Sequence, residues 1–152
     1  MALAGIDDLL IGIDAPVRMP LVNPFTMAPC VNRDTEEAGW IEVMSETSDA
    51  GAAYQRSRND RVMARGARAA KDDELQFEFV EKAAALVTGW SLVAPNGSEI
   101  ALVWTRANAR ELFSNRKARW MRDQVLEFAA NLGNYQATSS PVSSPEPNTT
   151  SG

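Results

Sequence analysis

The sequence predicts an α+β fold, mainly α-helical, in which helices pack with a short β-hairpin behind small N-terminal strands. Three observations carry this. Leu75, Phe79, Ala83 and Leu86 form one apolar stripe at helical spacing, and Ala118, Met121, Val125, Phe128 and Leu132 form another. Between them, Pro95-Asn96-Gly97 parts two short apolar runs, and Asn-Gly tolerates the positive φ angles that tight hairpins need. Before residue 46, Pro16, Pro20, Pro24 and Pro29 forbid both a long helix and a central strand.

In chain order, residues 1–13 read as an arm, either mobile or a first strand or turn of helix. The globular domain is expected over 14–136. Within 14–46 the prolines leave room for short edge strands near 17–22 and 25–27. A further strand is expected at 40–44, where Trp40-Ile41-Glu42-Val43-Met44 stands. Thr47-Ser48-Asp49 can cap a helix over 48–70 that is polar on most sides, with Gly66 weakening its far half by about 1 kcal/mol relative to alanine. Three carboxylates, Asp72, Asp73 and Glu74, favour the positive end of a second helix over 72–88, and Gly89 stands where a left-handed cap ends one. Val80, Ala84 and Val87 flank its stripe, while Phe77 falls off it and is expected to be exposed. The hairpin occupies 90–104, its returning strand 100–104. Thr105 caps a short helix over 105–113, and a final helix spans 117–132 with Gly133 as its stop. Its apolar face needs a partner, and the 72–88 helix is the natural one. Residues 137–152, ATSSPVSSPEPNTTSG, lack the apolar residues that offset ordering entropy and are predicted to be disordered.

Composition narrows the function classes. Histidine is absent from all 152 residues, which removes the commonest general base, the Ser/His triad and nearly all zinc chemistry. No Asp/Glu pair has a recognisable catalytic setting, and neither GxGxxG nor GxxxxGK[ST] occurs. The reading is of a non-enzyme without cofactor or metal. No apolar run approaches the roughly 20 residues of a membrane span, and the N-terminus lacks the basic residues of a secretory signal, so the cytoplasm is the expected compartment. The single Cys30 reads as a small apolar filler.

The net charge of −5 is unevenly distributed. Residues 1–50 hold nine carboxylates against Arg18 and Arg33. Residues 51–71 hold Arg56, Arg58, Arg61, Arg65, Arg68 and Lys71 against Asp60 alone, and five carboxylates follow in 72–81. Arg58, Arg61, Arg65 and Arg68 keep helical spacing and could form a phosphate-contacting edge. The flanking acids can neutralise that stripe and only Tyr54 is nearby for base stacking, so a solvated or partner-facing helix is the preferred reading. Of the four tryptophans, Trp90 and Trp104 read as core beneath the hairpin. Trp120, one residue off the Met121 stripe, reads as facing a partner.

The run 47–135 resembles the tail assembly chaperones of long-tailed bacteriophages, the class of the phage lambda tail chaperone. The matching words are SETSDAGAAYQRSRNDRVMARGAR, then EFVEKAAALVTGWSLVAPNGSEIALVWTRANARELF, then ARWMRDQVLEFAANLGNY. Their order, rather than any one word, carries the resemblance. It implies a non-catalytic protein of the host cytoplasm that binds the tape measure protein, keeps it soluble, helps recruit tail tube subunits and leaves before the virion is finished. The family is often made in two lengths by a programmed frameshift, and 137–152 sits where an extension would begin. A homo-oligomer is compatible with this role; a membrane is not expected. A chaperone of helical segments needs apolar grooves with polar rims, which makes Phe77, Trp120 and Phe128, with Arg58, Arg61 and Arg65, the candidate partner-binding residues. The rival readings are a structural tail completion or head-tail connector protein, and a small nucleic-acid-binding protein using the 56–68 helix.

Overall fold

Ser48 and Thr105 do at two helix starts what short hydroxyl side chains do well. Ser48 Oγ accepts a hydrogen bond from the Gly51 amide (3.3 Å) and Thr105 Oγ1 one from the Asn108 amide (2.9 Å). They open α1 (Asp49–Arg65) and α3 (Arg106–Ser114) in a computed structural model that describes residues 13–136. The other helices are α2 (Asp72–Leu86), α4 (Arg119–Ala130), entered through a 3-10 turn at Arg116–Ala118, and the short α5 (Gly133–Gln136). Four strands, β1 (Val17–Pro20), β2 (Trp40–Val43), β3 (Val87–Val93) and β4 (Glu99–Ile100), form one antiparallel sheet in chain order. The α+β, mainly helical class is therefore what the chain adopts. The arm and tail read from the sequence lie, apart from Ile13, outside the described residues.

Buried side chains from the sheet (Ile41, Val43, Val87), α2 (Ala83, Leu86), α3 (Phe113) and α4 (Val125, Ala129) meet in one core cluster. Cys30 belongs to it, and burial pushes its thiol up. The expected pairing of the two apolar-striped helices is present, since α2 packs against α4 as well as α1 and α3. α1 stays outside the core, burying only Gly51 and Tyr54. Gly51 is obligatory: a Cβ there would lie 2.0 Å from the Glu46 carbonyl oxygen. Backbone bonds seal the layers, with Glu46 N donating to Ala129 O (3.1 Å) and Met44 N to Leu86 O (2.7 Å), occupying carbonyls at the ends of two helices.

Tertiary structure overrides the sequence signals at several points. Gly89 caps no helix. α2 ends at Leu86 and the chain passes straight into β3, because Val87 pairs with Val43 and β2 claims the backbone. Gly89 pairs with Glu42 inside the sheet, where a Cβ would meet Glu42 Oε1 at 2.9 Å. The returning hairpin strand is two residues long, not five: after Ile100, Leu102 N bonds back to Ile100 O (2.9 Å) and the Trp90 indole takes Leu102 O (2.6 Å), so side-chain bonding replaces the ladder. The turn itself is as expected, with Gly97 at φ +88°. Residues 25–27 form no strand, for Asn23 Oδ1 accepts from the amides of Phe25 (2.8 Å) and Thr26 (3.3 Å) and closes a side-chain turn. Gly66, at φ +73°, ends α1 outright. Gly133 opens α5 instead of stopping α4, which ends at Ala130.

Candidate functional site

Every buried residue of α2 lies at or after Val80. The first two turns therefore project beyond the core, and the stripe that begins at Leu75 and Phe79 starts in solvent. Leu75, Phe77 and Phe79 are 43%, 48% and 42% exposed. Phe77 was expected outside; Leu75 and Phe79 were expected inside, and helical spacing cannot show where a core ends.

Each exposed phenylalanine stands beside a guanidinium. Arg61 of α1 lies 5.4 Å from the Phe77 ring centroid, and Arg122 of α4 lies 5.4 Å from that of Phe79, both within cation–π range. The arginines differ in every other respect. Arg61 grips Glu78 with two bonds (2.7 and 2.8 Å), and the Tyr54 hydroxyl donates to the same carboxylate (2.8 Å). Arg61 holds the Glu78 carboxyl below its ordinary range, and burial followed by Glu78 pushes the Tyr54 hydroxyl up. Beside it, Arg68 clasps Glu74 (2.9 and 2.8 Å) and brings its pKa to about 2, while Arg65 Nε donates to Arg68 O (3.1 Å). The cleft on this side of Phe77, about 330 Å³, is thus lined by both signs of charge, Arg61 and Arg65 against Asp73, Glu74 and Glu78.

On the other side of Phe77, a cleft of about 280 Å³ runs between α2 and the start of α4. Phe77 and Val80 form its apolar wall, Gln76, Ser114 and Asn115 contribute neutral polar groups, and Arg116, Arg119 and Arg122 line the rest; no carboxylate does. Arg116 and Arg119 form no ion pair among the described residues. Arg122 is only 4% exposed. One terminal nitrogen donates to Gln76 Oε1 (3.0 Å) and the other reaches the exposed Asp123 at 3.4 Å, whereas Nε is buried without an acceptor among the described residues.

The six sequence candidates therefore do not form one surface. Phe77, Arg61 and Arg65 come together. Arg58 shares their helix. Trp120 packs half-buried against the core and lines neither cleft, apart from Phe77. Phe128 is half-buried, edge-on to Tyr135 at 5.8 Å, and lines a separate groove of about 440 Å³ with Met19, Pro20, Val22 and Met27. Gln124 holds that groove's edge by bonding both Val22 N (3.1 Å) and Val22 O (2.7 Å). Trp90 and Trp104 pack partly buried against the core, as read; Trp90 meets Phe113 edge-on at 6.3 Å.

The sequence reading missed Arg116, Arg119 and Arg122. A signal existed for Arg122, which stands four residues after Ala118 and three before Val125, on the apolar stripe itself. A charge on a stripe marks either an ion pair or a site. Among the described residues no three His, Cys, Asp or Glu side chains could hold a metal ion, and no helix is long and apolar enough to cross a membrane. What the arrangement offers chemically is binding, through exposed aromatic rings with guanidinium groups alongside. No family model, curated protein or solved structure matches the chain.

Proposed function

We propose that this chain is a bacteriophage tail assembly chaperone that binds the tape measure protein during tail morphogenesis in the host cytoplasm, helps recruit tail tube subunits and is left out of the finished virion. The observation that supports it is the N-terminal half of α2, where Leu75, Phe77 and Phe79 stand exposed within one run of a supported helix, while Phe25, Met27, Val31, Met63, Val103 and Leu132 are exposed on other elements. Exposed rings on a supported helix can take up the apolar face of a partner helix without a change of fold. The ordered words of 47–135 point the same way. Nucleic-acid binding through the 56–68 helix has less to work with, because Arg61 and Arg68 are already engaged by Glu78 and Glu74.

Co-expression with a candidate tape measure protein of the same phage tests the proposal. The expected result is that an otherwise insoluble partner becomes soluble and co-purifies. A folded chain that leaves it insoluble and unbound overturns the chaperone reading. Finding the chain in stoichiometric amount in purified particles favours a connector or completion protein instead.

A further inference from the structure

We propose that the cleft between α2 and the start of α4 is a docking site for a carboxylate on an acidic, amphipathic helical segment of a partner protein. This deepens the reading above by naming the chemistry of the partner segment, and rests on it only for the partner's identity. The first observation is charge. Three arginines, Arg116, Arg119 and Arg122, line one cleft with no carboxylate among its walls, in a chain whose net charge is −5 and whose Arg61 and Arg68 are countered by acids of its own. The second is independent: Arg122 is buried, and its Nε lacks an acceptor among the described residues. A buried guanidinium whose donors are not all matched is costly, and a carboxylate arriving beside it in the cleft offsets that cost through its charge, Nε itself lying closed off from the surface.

The shape selects the class of anion. At about 280 Å³ the cleft falls short of the usual small-ligand pocket and suits a single side chain. Its wall is apolar at Phe77 and Val80, with Phe79 and Leu75 exposed on the same helix end. A free phosphate gains nothing from those rings. A glutamate flanked at helical spacing by leucine or phenylalanine places its carboxylate on the arginines and its neighbours on Phe77. The opposite cleft cannot compete for it, since Glu74 and Glu78 already occupy Arg68 and Arg61.

The test is NMR titration of the ¹⁵N-labelled full chain, following the arginine Nε–H signals. The probes are a helical peptide of about 20 residues built from Leu, Ala and Glu, its Gln-for-Glu counterpart, and inorganic phosphate at equal concentration. The Glu peptide is expected to shift Arg122 Nε–H and the Phe77 and Val80 amides, and to bind at least about tenfold more tightly than the Gln peptide. Because Arg122 is buried, the decisive variants are Arg116→Glu and Arg119→Glu on the rim, each expected to weaken the Glu peptide about tenfold with the melting temperature unchanged. Equal affinity for the two peptides, phosphate shifts matching those of the Glu peptide, or no shift at Arg122 would each overturn the proposal. Peptide binding with failed co-expression would sink the tape measure reading and leave the cleft standing; the converse would sink the cleft alone.

Discussion

Phe77 separates two arginine groups that composition cannot tell apart. On the α1 side, Arg61 and Arg68 each hold a carboxylate through two bonds, and Tyr54 completes the set around Glu78. On the α4 side, Arg116 and Arg119 form no ion pair among the described residues, and Arg122, which reaches Asp123 at 3.4 Å, keeps a buried Nε without an acceptor among them. The sequence drew attention to the first group, because its arginines are dense and regularly spaced. The structure draws it to the second, because a charge already matched within the chain has little left to offer a partner. A run of like charge becomes informative only when the acids opposite it are known, and those come from other elements.

The contrast can be broken by exchanging the circumstances of the two groups. The largest stability effect is expected at the satisfied one. Glu78→Ala removes the shared acceptor of Arg61 and Tyr54 and should cost about 2 kcal/mol in urea denaturation, discounted because Arg61 remains partly exposed to water. At the open group the sign reverses. Arg122→Met trades a poorly matched buried charge for an apolar side chain of similar length and should be neutral or stabilising by about 1 kcal/mol. A loss larger than 1 kcal/mol would mean that Arg122 is matched after all. A smaller effect appears with pH. Because the Glu78 carboxyl is held below its ordinary value of 4.5 when folded, its stabilisation is complete above that value and lost as pH falls through the depressed one. Glu74, brought to about 2, behaves likewise, so the melting temperature should fall between about pH 4.5 and 2, and less steeply in Glu78→Gln. The smallest effect belongs to Arg58→Gln, which removes a charge that acts on Glu78 and Tyr54 through space without an ion pair and should change stability by no more than about 0.5 kcal/mol.

Much of this architecture was legible in the sequence where the signal is local. Ser48, Thr105 and Gly97 act within three or four residues of themselves, and their roles followed from residue type alone. The apolar stripes located α2 and α4 and their mutual packing. What failed was decided elsewhere in the chain. Gly89 looked like a helix cap until β2 claimed its backbone through Glu42. Leu75 and Phe79 kept the right spacing, but the helix outruns the core beneath it. The Phe25–Met27 segment failed for the opposite reason, since the Asn23 turn that forms it is local and the proline-spaced apolar residues concealed it. Of the site, Phe77 was legible as an off-stripe aromatic. Arg122 was legible only as an anomaly, a charge at a stripe position, and its missing acceptor depends on α2 lying across it.

The central claim is that the exposed end of α2, with the open arginines beside it, is the surface that holds the partner. The most direct measurement is co-expression of the tape measure protein with Phe77→Ser/Arg119→Glu, a double substitution confined to exposed and rim positions. The account predicts that this variant keeps the parent's melting temperature and leaves the partner insoluble while the parent chain solubilises it. Equal solubilisation and co-purification by the two would contradict it.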